Sequence, residues 1–352
     1  MCDGKNDDRQ EIVSTNLFGE TTREVKISKI FSDDEIIKQA IKDFKLRGYI
    51  FKDLTLFECM TDLNSLATKK DKECTFTNLG YSVADTYHKH RFFSSAINMK
   101  SPYETFHFDK NIEKVLRMSL KNESKLTHRL YSFFYMVNGT QQCANFRPGI
   151  AKILYNKYCN NNSKVLDTST GYGGRLIGFL ASIASEYVGI DPNTDTYRAN
   201  EKIKIDLGRH KKVKLYNCPA EKWDNSYYKE YFDFAFTSPP YFKKEIYSDE
   251  ETNSCNAYPE YKEWIKGFLH PMILKTYESL KYECFYLLNI EDVKINSKLY
   301  SLVKDSIDFA LSIGFEHVNN ESLAFRNSDK VCIENVDSET IIVLKKRKRG
   351  NF

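Results

Sequence analysis

Long apolar runs are missing from this sequence. No stretch of about 18 hydrophobic residues occurs and the mean hydropathy is −0.53, so no membrane-spanning helix is predicted. A secretory signal is missing too: residues 1–7 are polar and contain no apolar segment, so a cytoplasmic address is expected, or a nuclear one in a eukaryotic host. Cysteine occurs nine times, but the residues are scattered, odd in number and never arranged as C-x-x-C. That argues against a disulfide framework and against a zinc site. Neither sign of charge prevails. Lys and Arg number 52 against 48 Asp and Glu, and the net +4 permits a polyanionic partner without demanding one. Tryptophan is rare, at 2, while Phe (24) and Tyr (23) abound. So much planar side chain serves either packing or stacking on bases.

A chain of 352 residues suffices for one large domain with a second lobe. Residues 1–24 read as a flexible, polar, Asp-rich arm without sustained periodicity, residues 25–140 as an N-terminal lobe, and residues 141–352 as an α/β domain. In the lobe, Ile36, Ile37, Ala40, Ile41 and Phe44 have the spacing of an amphipathic helix over 33–45, with Ser32 or Asp33 as N-cap. Residues 109–120 also read as helix, and 55–60 as strand or helix. Past Asn145, short apolar runs alternate with helical stretches, the pattern of parallel α/β units. Strands are predicted at 164–167, 187–191, 213–216, 232–236 and 284–290, with a closing antiparallel pair at 315–318 and 340–344. Helices are predicted at 148–158, 175–185, 193–207, 258–280 and 297–313. The fold class is α/β: a seven-stranded, Rossmann-like, doubly wound sheet with an additional N-terminal lobe.

Two turns of this pattern carry chemistry. The first strand runs into Asp167-Thr168-Ser169-Thr170-Gly171-Tyr172-Gly173-Gly174, where glycines let backbone approach a ligand at the carboxyl edge of the sheet. The third glycine of G-x-G-x-x-G is absent, since Leu176 stands there, so a dinucleotide fingerprint is not met. Asp191 at the tip of the second strand is placed to accept ribose hydroxyls, which fits a nucleoside-bearing cofactor. The alternative is an ordinary strand-turn-helix in which Asp167 and Asp191 serve as caps. After the fourth strand comes Thr237-Ser238-Pro239-Pro240-Tyr241-Phe242. Two prolines remove two backbone donors and leave carbonyls free to accept. Ser238 Oγ and such a carbonyl can accept both hydrogens of an exocyclic NH2, while Tyr241, with Phe242 beside it, can wall the base that carries it. A plain Pro-Pro loop is the other reading.

These residues resemble the S-adenosylmethionine-dependent amino-methyltransferases of DNA, which methylate cytosine N4 or adenine N6. The turn Asp167 to Gly174 is similar to their cofactor motif, Asp191 to their ribose-binding acid, and Ser238-Pro239-Pro240-Tyr241 with Thr237 before it to their catalytic tetrapeptide. Asn145-Phe146-Arg147-Pro148 is similar to a stretch that lines their cofactor site; a helix start with Pro148 at its first position reads equally well. The resemblance covers residues 142–345. It implies Ser238, Pro239, Pro240 and Tyr241 as catalytic, and Asp167, Thr168, Gly171, Gly173, Gly174, Asp191, Phe146, Pro148 and Thr237 as cofactor-binding, with S-adenosylmethionine as cofactor and no metal. It implies DNA with a flipped base as partner, and a cognate restriction nuclease as a further one. Ser before Pro-Pro-Tyr is typical of cytosine N4 enzymes, Asp or Asn of adenine N6 enzymes and of RNA and protein-glutamine methyltransferases. A non-catalytic nucleic-acid-binding subunit and a nicotinamide dehydrogenase are the other classes weighed.

The chain departs from the resemblance near the third strand, where Glu221 is the nearest acid to an expected adenine contact, and after Tyr241, where the remaining strands leave no room for a C-terminal recognition domain. Target reading therefore falls to the N-terminal lobe. There His88-Lys89-His90-Arg91 precedes Phe92 and Phe93, a mixture suited either to phosphates and bases or to a solvated turn beside two core rings. The basic run Lys345 to Arg349 suits phosphate contact, nuclear import or plain solvation, and the acidic loop 247–256 a lid, a substrate contact or a surface loop.

Overall fold

The computed structural model describes residues 10–15, 21–26, 30–121, 134, 137, 139–322 and 340–348. The chain divides into two compact units, Met1–Ile50 with Phe106–Phe134, and Phe51–Thr105 with Tyr135–Phe352. The boundary expected at residue 140 is therefore not where the chain divides. Phe51–Thr105 belongs to the α/β unit because Cys59, Leu63, Leu66, Val83 and Ala84 share one hydrophobic cluster with Val165 and Phe234 of its sheet.

In the first unit, Ser32 caps the helix Asp33–Arg47: its Oγ accepts the Glu35 N–H while the Glu35 carboxylate takes the Ser32 N–H. The helix Asp109–Lys121 is tied to it by Lys45–Asp109 at 2.7 Å and Arg117–Asp34 at 2.8 Å. Ile37, Ala40, Ile112, Val115 and Leu116 are buried. Gln10–Thr15 and Thr21–Lys26 pair as antiparallel strands, largely within the segment 1–24 read as an arm. These strands mix polar and β-branched residues without apolar alternation, so no periodicity announces them.

The second unit is built on a seven-stranded sheet: β1 Lys164–Asp167, β2 Glu186–Ile190, β3 Lys212–Tyr216, β4 Phe232–Thr237, β5 Leu280–Asn289, β6 Phe315–Ser322 and β7 Thr340–Lys346. The spatial order is β3-β2-β1-β4-β5-β7-β6. The first five strands are parallel, while β7 runs antiparallel between β5 and β6. This is the doubly wound sheet expected, with its order reversing between β1 and β4. Side chains alternate between two cores. Leu166, Val188, Ala235, Leu288 and Ile342 face one, with Trp264, Leu269 and Leu302; Val165, Tyr187, Phe234, Leu287 and Val343 face the other, with Leu154, Ile177 and Ile203.

The helix Pro148–Tyr158 starts with its proline at the first position, and Asn193 caps Thr194–Leu207 by accepting the Thr196 N–H at 2.8 Å. Three of the predicted helices differ. The helix expected at 175–185 is Gly174–Leu180, since the chain must turn before entering β2. That expected at 258–280 is continuous only from Tyr261 to Ser279, and it contains a π turn at Ile265–Leu269. That expected at 297–313 begins at Leu302, because Val293–Ile295 and Lys298–Tyr300 form a hairpin. Asn296 and Ser297 turn that hairpin with φ of 49° and 65°, left-handed values that a helical pattern search does not anticipate.

Candidate active site

Four parallel strands deliver polar residues to one carboxyl edge: β1 the glycine turn, β2 Asp191, β4 Ser238 to Tyr241, and β5 Asn289. All four groups line a single cavity of about 630 Å³. Its volume is that of an ordinary small-molecule or cofactor site.

The glycine turn is held from below by a buried ion pair. Asp167 is fully buried and receives Arg175 Nε at 2.8 Å, Tyr187 OH at 2.7 Å, Thr237 Oγ1 at 3.1 Å and the Ser169 N–H at 3.2 Å. Its carboxylate is saturated and does not reach the cavity, so neither Asp167 nor Thr237 is placed to hold a cofactor. Gly173 and Gly174 also lie behind the cavity. A Cβ on Gly174 would stand 1.9 Å from the Phe146 carbonyl oxygen, and one on Gly173, at φ +76°, 2.8 Å from His88 Nε2. These glycines permit close packing rather than ligand approach. Pro148 likewise packs inside, against Gly80. Of the residues expected to bind a cofactor, Phe146, Thr168, Gly171 and Asp191 line the cavity.

Gly171 adopts φ +56°, which turns its N–H onto Asp191 Oδ2 at 2.8 Å and leaves only the Ser169 oxygen, at 3.9 Å, near where a Cβ would be. Asp191 Oδ1 accepts the Asn193 N–H at 3.0 Å. Burial nonetheless dominates and raises the Asp191 carboxyl to about 6. Three further polar atoms of cavity-lining residues, Gln142 Nε2, Thr168 Oγ1 and Glu221 Oε2, are buried and have no hydrogen-bond partner among the described residues. Burial also raises the Glu221 carboxyl above its ordinary value.

Ser238, Pro239, Pro240 and Tyr241 all line the cavity, but Phe242 does not: it is buried among Tyr261, Trp264 and Tyr300, with ring centroids 5.4, 5.7 and 5.3 Å away. The sequence reading set Phe242 in the base pocket; its φ of 49° marks the sharp turn after Tyr241 that sends it to the core instead. Lys244 Nζ lies 5.3 Å from the Tyr241 ring centroid and is paired with Glu291. The loop 247–256 contributes Tyr247, Ser248, Thr252 and Asn253 to the cavity wall, and its Glu250 accepts the Thr194 N–H at 3.2 Å.

Among the wall residues with no role in the sequence pattern are Asn289, Asn78 and Tyr81. Asn289 donates from Nδ2 to Ser238 Oγ at 3.0 Å and to Tyr241 OH at 2.8 Å. Its one signal is position, a polar residue closing the apolar run Leu287-Leu288 at the sheet edge. Asn78 and Tyr81, far upstream, carry no local signal at all.

Within His88 to Arg91, the two ends are not available to phosphate. His88 and Arg91 are buried; Arg91 pairs with Asp85 and donates to the Cys143 carbonyl at 3.0 Å. His88 Nε2 faces Asn200 Oδ1 at 3.2 Å and His90 Nε2 faces Thr196 Oγ1 at 3.0 Å. Burial pushes the His88 imidazole well below its ordinary range and that of His90 down to about 4, so both are neutral. The segment supports the glycine turn, since Asn200 Nδ2 also donates to the Gly171 carbonyl at 3.0 Å. Lys345, Lys346 and Arg347 of the basic run are committed too. Lys345 pairs with Glu283 at 2.8 Å, Lys346 is buried and donates to the Tyr277 and Leu280 carbonyls, and Arg347 pairs with Glu316. Arg349 lies outside the described residues.

No family model and no curated protein matches the sequence. Among solved structures, the chain is similar to the cyclase SpnF, with 10% identity and a TM-score of 0.41 over 57% of this chain and 81% of that one. It is similar to an S-adenosylmethionine-dependent methyltransferase from Methanosarcina mazei, with 14% identity and a TM-score of 0.38 over 56% and 98%. An rRNA methylase from Streptococcus thermophilus gives 14% and 0.36 over 58% and 100%. Likenesses this remote carry no argument about activity, and the fold assignment rests on the strand order itself.

Proposed function

We propose that the protein transfers a methyl group from S-adenosylmethionine to the exocyclic amine of a flipped base in DNA, cytosine N4 being the favoured target. One observation carries this reading: Ser238-Pro239-Pro240-Tyr241 lines the same cavity as Asp191 and the open side of the glycine turn. The cavity wall suits a nucleoside-bearing cofactor. Thr168 Oγ1 and Glu221 Oε2 are buried atoms that need a polar ligand, and Gly171 leaves backbone open to one. When bound, S-adenosylmethionine supplies an electrophilic methyl group on sulfur. Asp191 accepts the ribose hydroxyls, Ser238 accepts an amine hydrogen, and the Tyr241 ring stacks on the base. Flipping that base out of a duplex costs a few kcal/mol of pairing and stacking, which such contacts offset. Ser238, rather than Asp or Asn, favours cytosine over adenine and DNA over RNA. Target reading is assigned to the first unit, since in the second His88 and Arg91 are buried and Lys89 is paired with Asp53.

The cofactor half of the reading has a pH signature. Only ionised Asp191 accepts both hydroxyls, so affinity for S-adenosylmethionine is expected to be flat at neutral pH and to weaken as pH falls through about 6. The limiting slope is about tenfold per pH unit. Asp191→Asn should bind weakly with no such slope. Stability shifts in the opposite sense. A folded-state pKa raised above the unfolded value stabilises the protein at low pH, and this contribution of about 3 kcal/mol is lost as pH rises from about 4 through about 6. Calorimetric titration with the cofactor across this range checks the first effect; an affinity independent of pH counts against Asp191 as the ribose ligand.

A further inference from the structure

The side-chain amide hydrogens of Asn289 go to Ser238 Oγ and Tyr241 OH, at 3.0 and 2.8 Å. The residue is 1% exposed and terminates β5, so its amide is fixed by the sheet. An amide NH2 only donates, whereas a hydroxyl donates once and accepts twice. Each of the two hydroxyls therefore has one lone pair committed to Asn289. Ser238 Oγ and Tyr241 OH lie 3.4 Å apart, and one proton fits along that line.

Two arrangements follow. If Tyr241 donates to Ser238, both serine lone pairs are filled and Ser238 presents its proton to the cavity, which suits a carbonyl or a ring nitrogen. If Ser238 donates to Tyr241, one serine lone pair faces the cavity, which suits an amine N–H. We infer that Asn289 is a positioning residue for methyl transfer: it holds Ser238 and Tyr241 as one hydrogen-bonded triad and makes Ser238 a single-lone-pair acceptor for the target amine. The inference rests on the amine-transfer reading and adds to it the residue that orients the acceptor. By donating to Ser238 Oγ, Asn289 also lowers the basicity of that oxygen, so Ser238 orients the amine without deprotonating it: the amine nitrogen would take the methyl group as the bond from that carbon to sulfur breaks, a neutral thioether would leave, and the surplus proton of the cationic methylated amine would pass to solvent.

The test is a double-mutant cycle with labelled S-adenosylmethionine and genomic DNA as acceptor. Asn289→Leu removes both donations, and Asn289→Asp keeps the shape while reversing them. Either change is expected to lower kcat at least about tenfold, with the KM for DNA and the cofactor affinity within about twofold of wild type. In a Ser238→Ala, Tyr241→Phe background, where the triad no longer exists, Asn289→Leu should change the residual rate less than about twofold. A structural role would instead give the same fractional loss in both backgrounds, together with a lowered melting temperature. Equal losses while an amine is still methylated overturn the Asn289 assignment alone. Wild-type label on oxygen or carbon overturns the amine reading on which it rests.

Discussion

Ser238→Ala is expected to lower methyl transfer by about a hundredfold to a thousandfold, the usual effect of deleting one preorganised hydrogen-bonding group that acts on a reacting atom. Cofactor affinity and folding should stay close to wild type. The hydrogen-bond partners of Ser238 Oγ are Asn289 and Tyr241, and Asn289 keeps its 2.8 Å bond to Tyr241 when the serine hydroxyl is gone. The loss should thus fall on kcat, since the acceptor matters most when the amine lone pair must point at the methyl donor. Single-turnover kinetics with labelled cofactor reads this directly. A variant with wild-type turnover removes Ser238 from the chemistry.

The second large effect is on stability. Arg175→Met should destabilise the fold by about 3–5 kcal/mol, because it strips the only cation, among the described residues, that contacts a carboxylate with no exposed surface. Asp167 would keep Tyr187, Thr237 and the Ser169 N–H, but not a compensating charge. Removing that charge as well, in Asp167→Asn with Arg175→Met, should recover part of the loss, so the two substitutions are not additive. Urea unfolding midpoints of the single and double variants check this; additive losses would mean that packing, not charge, holds the pair together.

Asp167 also illustrates how far the residues themselves could be read. A carboxylate at the head of a glycine turn looks like a ligand group from local spacing. Its true partners come from 8, 20 and 70 residues away, on three other elements. His88 to Arg91 misleads for the same reason: a run of basic side chains looks solvated until Asn200, 112 residues on, and Asp85 are brought against it. Asn289 offers the converse, a residue whose role depends on meeting Ser238, 51 positions earlier. What local pattern could carry, it carried. The parallel strands alternate between two cores with period two, Pro148 opens its helix, and Ser238 to Tyr241 and Asp191 reach one cavity because residues that end parallel strands share one edge. The aromatic surplus divides likewise. Tyr155, Phe179, Tyr187, Phe234 and Phe236 fill one core beside the sheet, while Tyr241 alone of the Tyr241-Phe242 pair faces the cavity.

Incubating the protein with methyl-labelled S-adenosylmethionine and separate DNA and RNA pools, then resolving the digested nucleosides by mass spectrometry, tests amine transfer most directly. The expected product is N4-methylcytosine from the DNA pool. Label only in N6-methyladenine would overturn the cytosine preference, and label only in RNA the substrate class. No label on any exocyclic amine, from a protein that binds the cofactor, would contradict the central claim.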